Sequence, residues 1–142
     1  MDILQPPDWA APRGYANGIA CELTVGSKVL FLAGMIGWNG QQQFETDDLA
    51  EQVRVALENI VATLAAGGAR PQHIVRMTWY VKDKQAYVQA YPEIGRHYRA
   101  TIGKHFPAMT AVQVADLVED RALVEIEATA VVPGLISTDA GN

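Results

Sequence analysis

The chain has 142 residues, 49% of them hydrophobic, and a formal net charge of −5. That length suits one domain with a sizeable core, and a mean hydropathy of +0.02 describes an ordinary globule. The acidic balance, with no basic stripe, argues against a nucleic-acid partner, because that affinity comes mainly from Lys and Arg neutralising phosphates.

No apolar run reaches the roughly 20 residues that span a bilayer. The first residues, MDILQPPDWAAP, lack the basic and apolar regions of a secretory signal. A cytoplasmic protein with no membrane partner is expected. Cys21 is the single cysteine, so no intrachain disulfide or cysteine-cluster metal site can form. His73, His97 and His105 have no metal-ligand spacing, and no metal is expected. Cys21 has no identifiable base and no G-x-S-x-G occurs, so no nucleophile stands out.

In chain order, residues 1–12 carry three prolines and read as an irregular arm. Residues 19–25 and 28–34 read as a hairpin or meander bounded by Gly18, Gly26, Ser27 and Gly34. Gly34, Gly37 and Gly40 mark a loop holding Trp38 and Asn39; no Lys-Ser/Thr pair follows, so it is not a phosphate loop. A helix then begins at Thr46 as N-cap, with Asp47 and Asp48 suited to its positive end, and stops at Gly67 or Gly68. Leu49, Val53, Ala56, Leu57, Ile60, Val61 and Leu64 form its apolar stripe.

Residues 73–82 read as a strand with Val75, Met77, Trp79 and Val81 on one face. Ile74, Arg76, Thr78 and Tyr80 fall on the other. A second helix starts near Pro92 and aligns Tyr91, Ile94, Tyr98 and Ile102. Two strands, 108–115 and 122–132, flank a polar link. In the last, Val124, Ile126, Ala128, Ala130 and Val132 alternate with Leu123, Glu125, Glu127, Thr129 and Val131. Two carboxylates in an otherwise apolar strand are either solvated or functional. Residues 1–142 thus form one domain, with a core at about 13–133 and a tail, 134–142, expected to be mobile.

This order predicts an α+β fold, a mixed sheet with two helices on one face. Leu23, Leu123, Val131, Tyr80 and Met109 make the uncovered face too apolar for a monomer.

The words RGYANG, VLFLAGMIGWN, AEQVRVALENIVATLAAGGA, HIVRMTWYVKD, FPAMTAVQVA and VEIEA follow one another over roughly residues 13–133. In this the chain resembles the RidA/YjgF family of imine and enamine deaminases. The resemblance implies a YjgF/chorismate-mutase-like fold and a homotrimer whose sheets form a central barrel. It also implies hydrolysis of a small-molecule substrate in clefts between subunits, without a cofactor. Some family members are described as ribonucleases, a role this charge balance does not support.

By that resemblance Glu125 matches the glutamate that positions the hydrolytic water, and Tyr15 matches the tyrosine lining the pocket. Gly34 matches the glycine where backbone approaches ligand. The departures form a set. Met109, before Thr110, stands where the family has an arginine that pairs with the substrate carboxylate. Ala33 replaces a common serine, Met35 a glutamine and Ala111 a cysteine. These changes point to a larger or less acidic ligand, with Trp38 and Phe106 as walls and Arg13 or Arg76 as replacement cations. The alternative is a trimeric protein that binds a small ligand without turning it over.

Overall fold

The computed structural model describes residues 1–134. In chain order its elements are β1 (Asp2–Leu4), β2 (Gly18–Ala20), β3 (Lys28–Phe31), β4 (Met35–Ile36) and α1 (Leu49–Ala66). A 3-10 turn (Pro71–His73) leads into β5 (Ile74–Val81), followed by α2 (Lys84–Gln89), α3 (Tyr91–Thr101), β6 (Ala108–Gln113) and β7 (Val124–Val132). The main sheet runs β3-β7-β5-β6, with β4 extending the β3 edge of β7. β7 is antiparallel to β3, β4 and β5, whereas β6 lies parallel to β5. A parallel neighbour needs a crossover, which α2 and α3 supply. The last two strands are therefore consecutive in sequence but separated in the sheet by β5.

Period-two alternation assigns the faces. Val124, Ile126, Ala128 and Ala130 of β7 are buried, and the register sets Met77, Trp79 and Val81 of β5 on the same side. There they meet the α1 stripe, in which Val53, Ala56, Leu57, Ile60 and Leu64 are fully buried. Each of the larger of these, Val53, Leu57, Ile60 and Leu64, contributes about 1.5–3 kcal/mol relative to exposure. The α+β expectation holds, with both long helices on this face. Asp48, not Thr46, caps α1, accepting from the Glu51 N–H at 3.1 Å, while the Thr46 hydroxyl accepts from the Asp48 N–H. Gly67 ends the helix and Pro92 lies in the first turn of α3. Helix α2 is additional; its six residues are too few to carry a periodic stripe.

Several expectations change. Residues 1–12 include β1, which pairs with β2 in a separate two-stranded sheet, so β2 and β3 are not a hairpin. A turn closed by the Ser27 N–H on the Thr24 carbonyl, with Gly26 at φ +85°, starts β3 at Lys28 as expected, but the strand ends at Phe31, short of Gly34. A register shift between Ile74 and Arg76 turns Ile74 to the helix face, where it is fully buried. Strict alternation cannot register such a bulge. Met109 pairs with Met77 and so lies on the helix-covered face, not the open one. Gly134 is buried, its N–H donating to the Ser27 hydroxyl; the remainder of the expected mobile tail falls outside the described residues.

The open face carries Arg76, Thr78, Tyr80, Glu125, Glu127 and Thr129 in mutual register. At one end Ile36, Leu117 and Ala122 form a small second core with Trp38, Phe44, Tyr80 and Val114 against it. At the other end Phe31 is 82% exposed and Val29 is also exposed, while Val112, beside Tyr80 on β6, is exposed at the sheet edge.

Candidate functional site

The two carboxylates of β7 have different surroundings. Glu127 accepts a 2.6 Å hydrogen bond from the Tyr80 hydroxyl, and that bond holds the Tyr80 phenol above the ordinary tyrosine range. Glu125 has no hydrogen bond or ion pair among the described residues. Its side chain lies against Gly34, where an added Cβ would stand 2.7 Å from Glu125 Cδ and 2.8 Å from Oε1.

That contact depends on a break in the strand edge. Phe31 pairs with Thr129 and Met35 with Ile126, so four steps on one side face three on the other. The extra residue falls at 32–34 and lets the chain bend around Glu125. Helix α1 fixes the bend: Asn59 Nδ2 donates to the carbonyls of Ile36 at 3.0 Å and Trp38 at 2.9 Å. Gln52, fully buried, bonds the carbonyls of Thr46 and Arg121 and accepts from the Leu123 N–H, which anchors the start of β7.

On the helix side a cleft of about 610 Å³ opens between α3, β6 and the segment before β2. Arg13, Tyr15, Phe106, Met109 and Ala111 all line it, so five residues singled out in the sequence do converge. Tyr15 is placed by its neighbour: the Ala16 N–H donates to the Pro107 carbonyl at 2.9 Å, and Ala16 bridges to Ala108. Phe106 stacks on Tyr98 at 5.5 Å, while Tyr87 meets Tyr91 edge-on at 5.1 Å. Burial, with Tyr91 adding to it, pushes the Tyr87 phenol up to about 12. Burial also raises Tyr98, whose hydroxyl donates to the His105 carbonyl. Both phenols are hydrogen-bond donors at neutral pH.

Ala33, Gly34 and Glu125 are therefore not beside Met109. They occupy the opposite face, with β5 between β6 and β7. Trp38 packs in the small open-face core, Thr110 faces the same side, and Arg76 is exposed there. Sequence reasoning missed Tyr87 and Arg99 as cleft residues and used Tyr91 and Tyr98 only as a helix stripe. The four-residue spacing Tyr87–Tyr91 was the available signal. Among the described residues no group of three His, Cys, Asp or Glu side chains could hold a metal ion. No described helix is long and apolar enough to cross a membrane.

A family model described as Endoribonuclease L-PSP matches residues 10–132. A 2-iminobutanoate/2-iminopropanoate deaminase from Salmonella typhimurium is 33% identical over 125 residues, 86% of this chain and 90% of the relative. This chain belongs to the RidA/YjgF family. A relative in Pasteurella multocida, RutC family protein PM1466, is 33% identical over 72% of this chain and 79% of its own length. Among solved structures, the Rid family protein YyfB of Yersinia pestis superimposes with a TM-score of 0.78 at 25% identity, covering 91% of this chain and 96% of that one. E. coli TdcF, solved with bound serine, gives 0.63 at 29% identity over 92% and 98%. The RidA/YjgF fold thus accounts for the mixed sheet and its two long helices.

Proposed function

We propose that this protein hydrolyses a reactive imine or enamine tautomer, R₂C=NH + H₂O → R₂C=O + NH₃, in clefts between the subunits of a homotrimer. The observation that carries it is the free Glu125 carboxylate seated on Gly34 while its neighbour Glu127 is engaged by Tyr80. A carboxylate with no internal partner can orient water toward the C=N carbon and accept its proton, then return a proton to the departing nitrogen. The deaminase names of the relatives favour the same reaction.

Glu125 and the Tyr15–Met109 cleft lie on opposite faces of one chain, so one active site that uses both must draw them from two chains. The exposed Phe31, Val29 and Val112 of the open face favour such an assembly. Met109 supplies no bidentate donor for a small 2-imino acid, which shifts preference away from those substrates. Met109 is also the observation favouring the second reading, ligand binding without turnover.

Mixing separately inactive variants tests the arrangement. Glu125→Gln and Tyr15→Phe, each folded and trimeric, are co-refolded and assayed for ammonia release. Clefts shared between chains restore roughly a quarter of the wild-type sites; no recovery in a proven mixed oligomer removes the shared site.

A further inference from the structure

The cleft beside Met109 differs in charge from the rest of the molecule. Its lining carries two arginines, Arg13 and Arg99, and no carboxylate, in a chain of net charge −5. Among the described residues neither guanidinium forms an ion pair, whereas Arg54, Arg96 and Arg121 do. Arg99 lies back along α3 over Gly95: a Cβ there would stand 3.3 Å from its nearer guanidinium nitrogen. Two uncompensated planar cations at the rim of an apolar cleft suit a carboxylate.

The walls are aromatic. Tyr87, Tyr98 and Phe106 line the cleft with Trp79, which is 3% exposed and whose Nε1–H has no acceptor. A volume of about 610 Å³ falls in the range that takes ligands well above the size of pyruvate. At residue 109 a thioether adds to the apolar wall and makes favourable contact with rings.

We infer that the ligand is the imine or enamine of an aromatic or comparably large 2-amino acid, its carboxylate held at the rim by Arg99 and Arg13 and its ring against Tyr87, Tyr98 and Phe106. The C=N of that ligand rests on the deaminase function proposed above; the recognition of an aromatic carboxylate rests on the cleft. Arg99 thereby takes over, from a helix, an anchoring task that Met109 cannot perform.

Calorimetric binding to the intact protein tests this with 2-oxo-3-phenylpropanoate, pyruvate and 3-phenylpropan-1-ol. The aromatic acid is expected to bind at least about tenfold more tightly than either of the others. Arg99→Gln brings the acid to within about twofold of the alcohol and leaves alcohol binding unchanged, and Arg99→Lys recovers part of the loss. Equal affinity for pyruvate, or no effect of Arg99→Gln in a folded variant, overturns the inference. Ammonia release from 2-imino-3-phenylpropanoate separates the two claims. Tight, Arg99-dependent binding without turnover supports the recognition and removes the deaminase function. Turnover of small imino acids alone, with no binding of the aromatic acid, does the reverse.

Discussion

Glu125 keeps its position against Gly34 because that residue has no side chain: a Cβ there would lie 2.7 Å from both Glu125 Cγ and Cδ. Either the carboxylate or the bent strand edge must move in Gly34→Ala. Because the atoms met belong to a flexible, half-exposed side chain, the cost in stability falls below the about 1–3 kcal/mol typical of overpacking a core. The expected outcome is a modest fall in urea midpoint with at least about a tenfold loss of kcat, since a small misplacement of a catalytic group is costly. Unchanged kcat in Gly34→Ala would separate Glu125 from the chemistry.

Asn59 holds that bend from α1 through the Ile36 and Trp38 carbonyls. Asn59→Asp sets a carboxylate against two carbonyl oxygens and should destabilise more than Asn59→Ala, which leaves two acceptors unpaired at about 1–3 kcal/mol. Chemical denaturation ranks the three proteins. If Asn59→Asp is as stable as wild type, the bend is held by something else.

Met109 shares the cleft with Arg13, Arg99 and Ala111. The protein is therefore expected to be slow on small 2-imino acids, and Met109→Arg should raise kcat/KM on them by at least about tenfold, the worth of one charge-assisted pair. Ala33→Ser acts from the opposite face of the chain, so it should add to that gain only through the site shared between subunits. No gain in a folded, trimeric Met109→Arg protein would favour binding without turnover.

Tyr87 gives a pH signature. Burial moves its phenol from 10.0 to about 12 in the folded protein. The neutral form is the one the fold favours. Its contribution is therefore full below pH 10 and lost as pH rises through about 12. By pH 11, about one unit into that window, wild type should lose about 1 kcal/mol that Tyr87→Phe does not lose. Denaturation at pH 8 and pH 11 gives the comparison, and equal losses in both proteins would place the alkaline sensitivity elsewhere.

Much of this architecture is legible in the sequence where burial imposes a period. The α1 stripe and the alternation of β7 are such cases, because one face of each must be apolar. Period two does not say which strand lies beside which, so Met109 and Glu125, on consecutive strands, look like neighbours although β5 separates their strands and the sheet separates their faces. The extra residues near Val75 and Gly34 shift the alternation locally and leave no compositional mark. Arg99 reads as a solvated helix charge until the packing of α3 on α1 sets it across the cleft from β6. Family resemblance supplied Glu125 and Tyr15; what distinguishes Glu125 from Glu127 is the Tyr80 hydrogen bond, which only the folded pairing creates.

The most direct measurement is ammonia release from imino acids generated in situ, 2-iminobutanoate and 2-imino-3-phenylpropanoate, with wild type and Glu125→Gln at equal concentration. Glutamine preserves the shape of the contact with Gly34 but cannot accept a proton. Wild type should accelerate release above the buffer rate, and Glu125→Gln, still folded and with unchanged assembly, should lose at least about a hundredfold. Wild type at the buffer rate on both substrates, or full activity in Glu125→Gln, would contradict imine hydrolysis by this carboxylate.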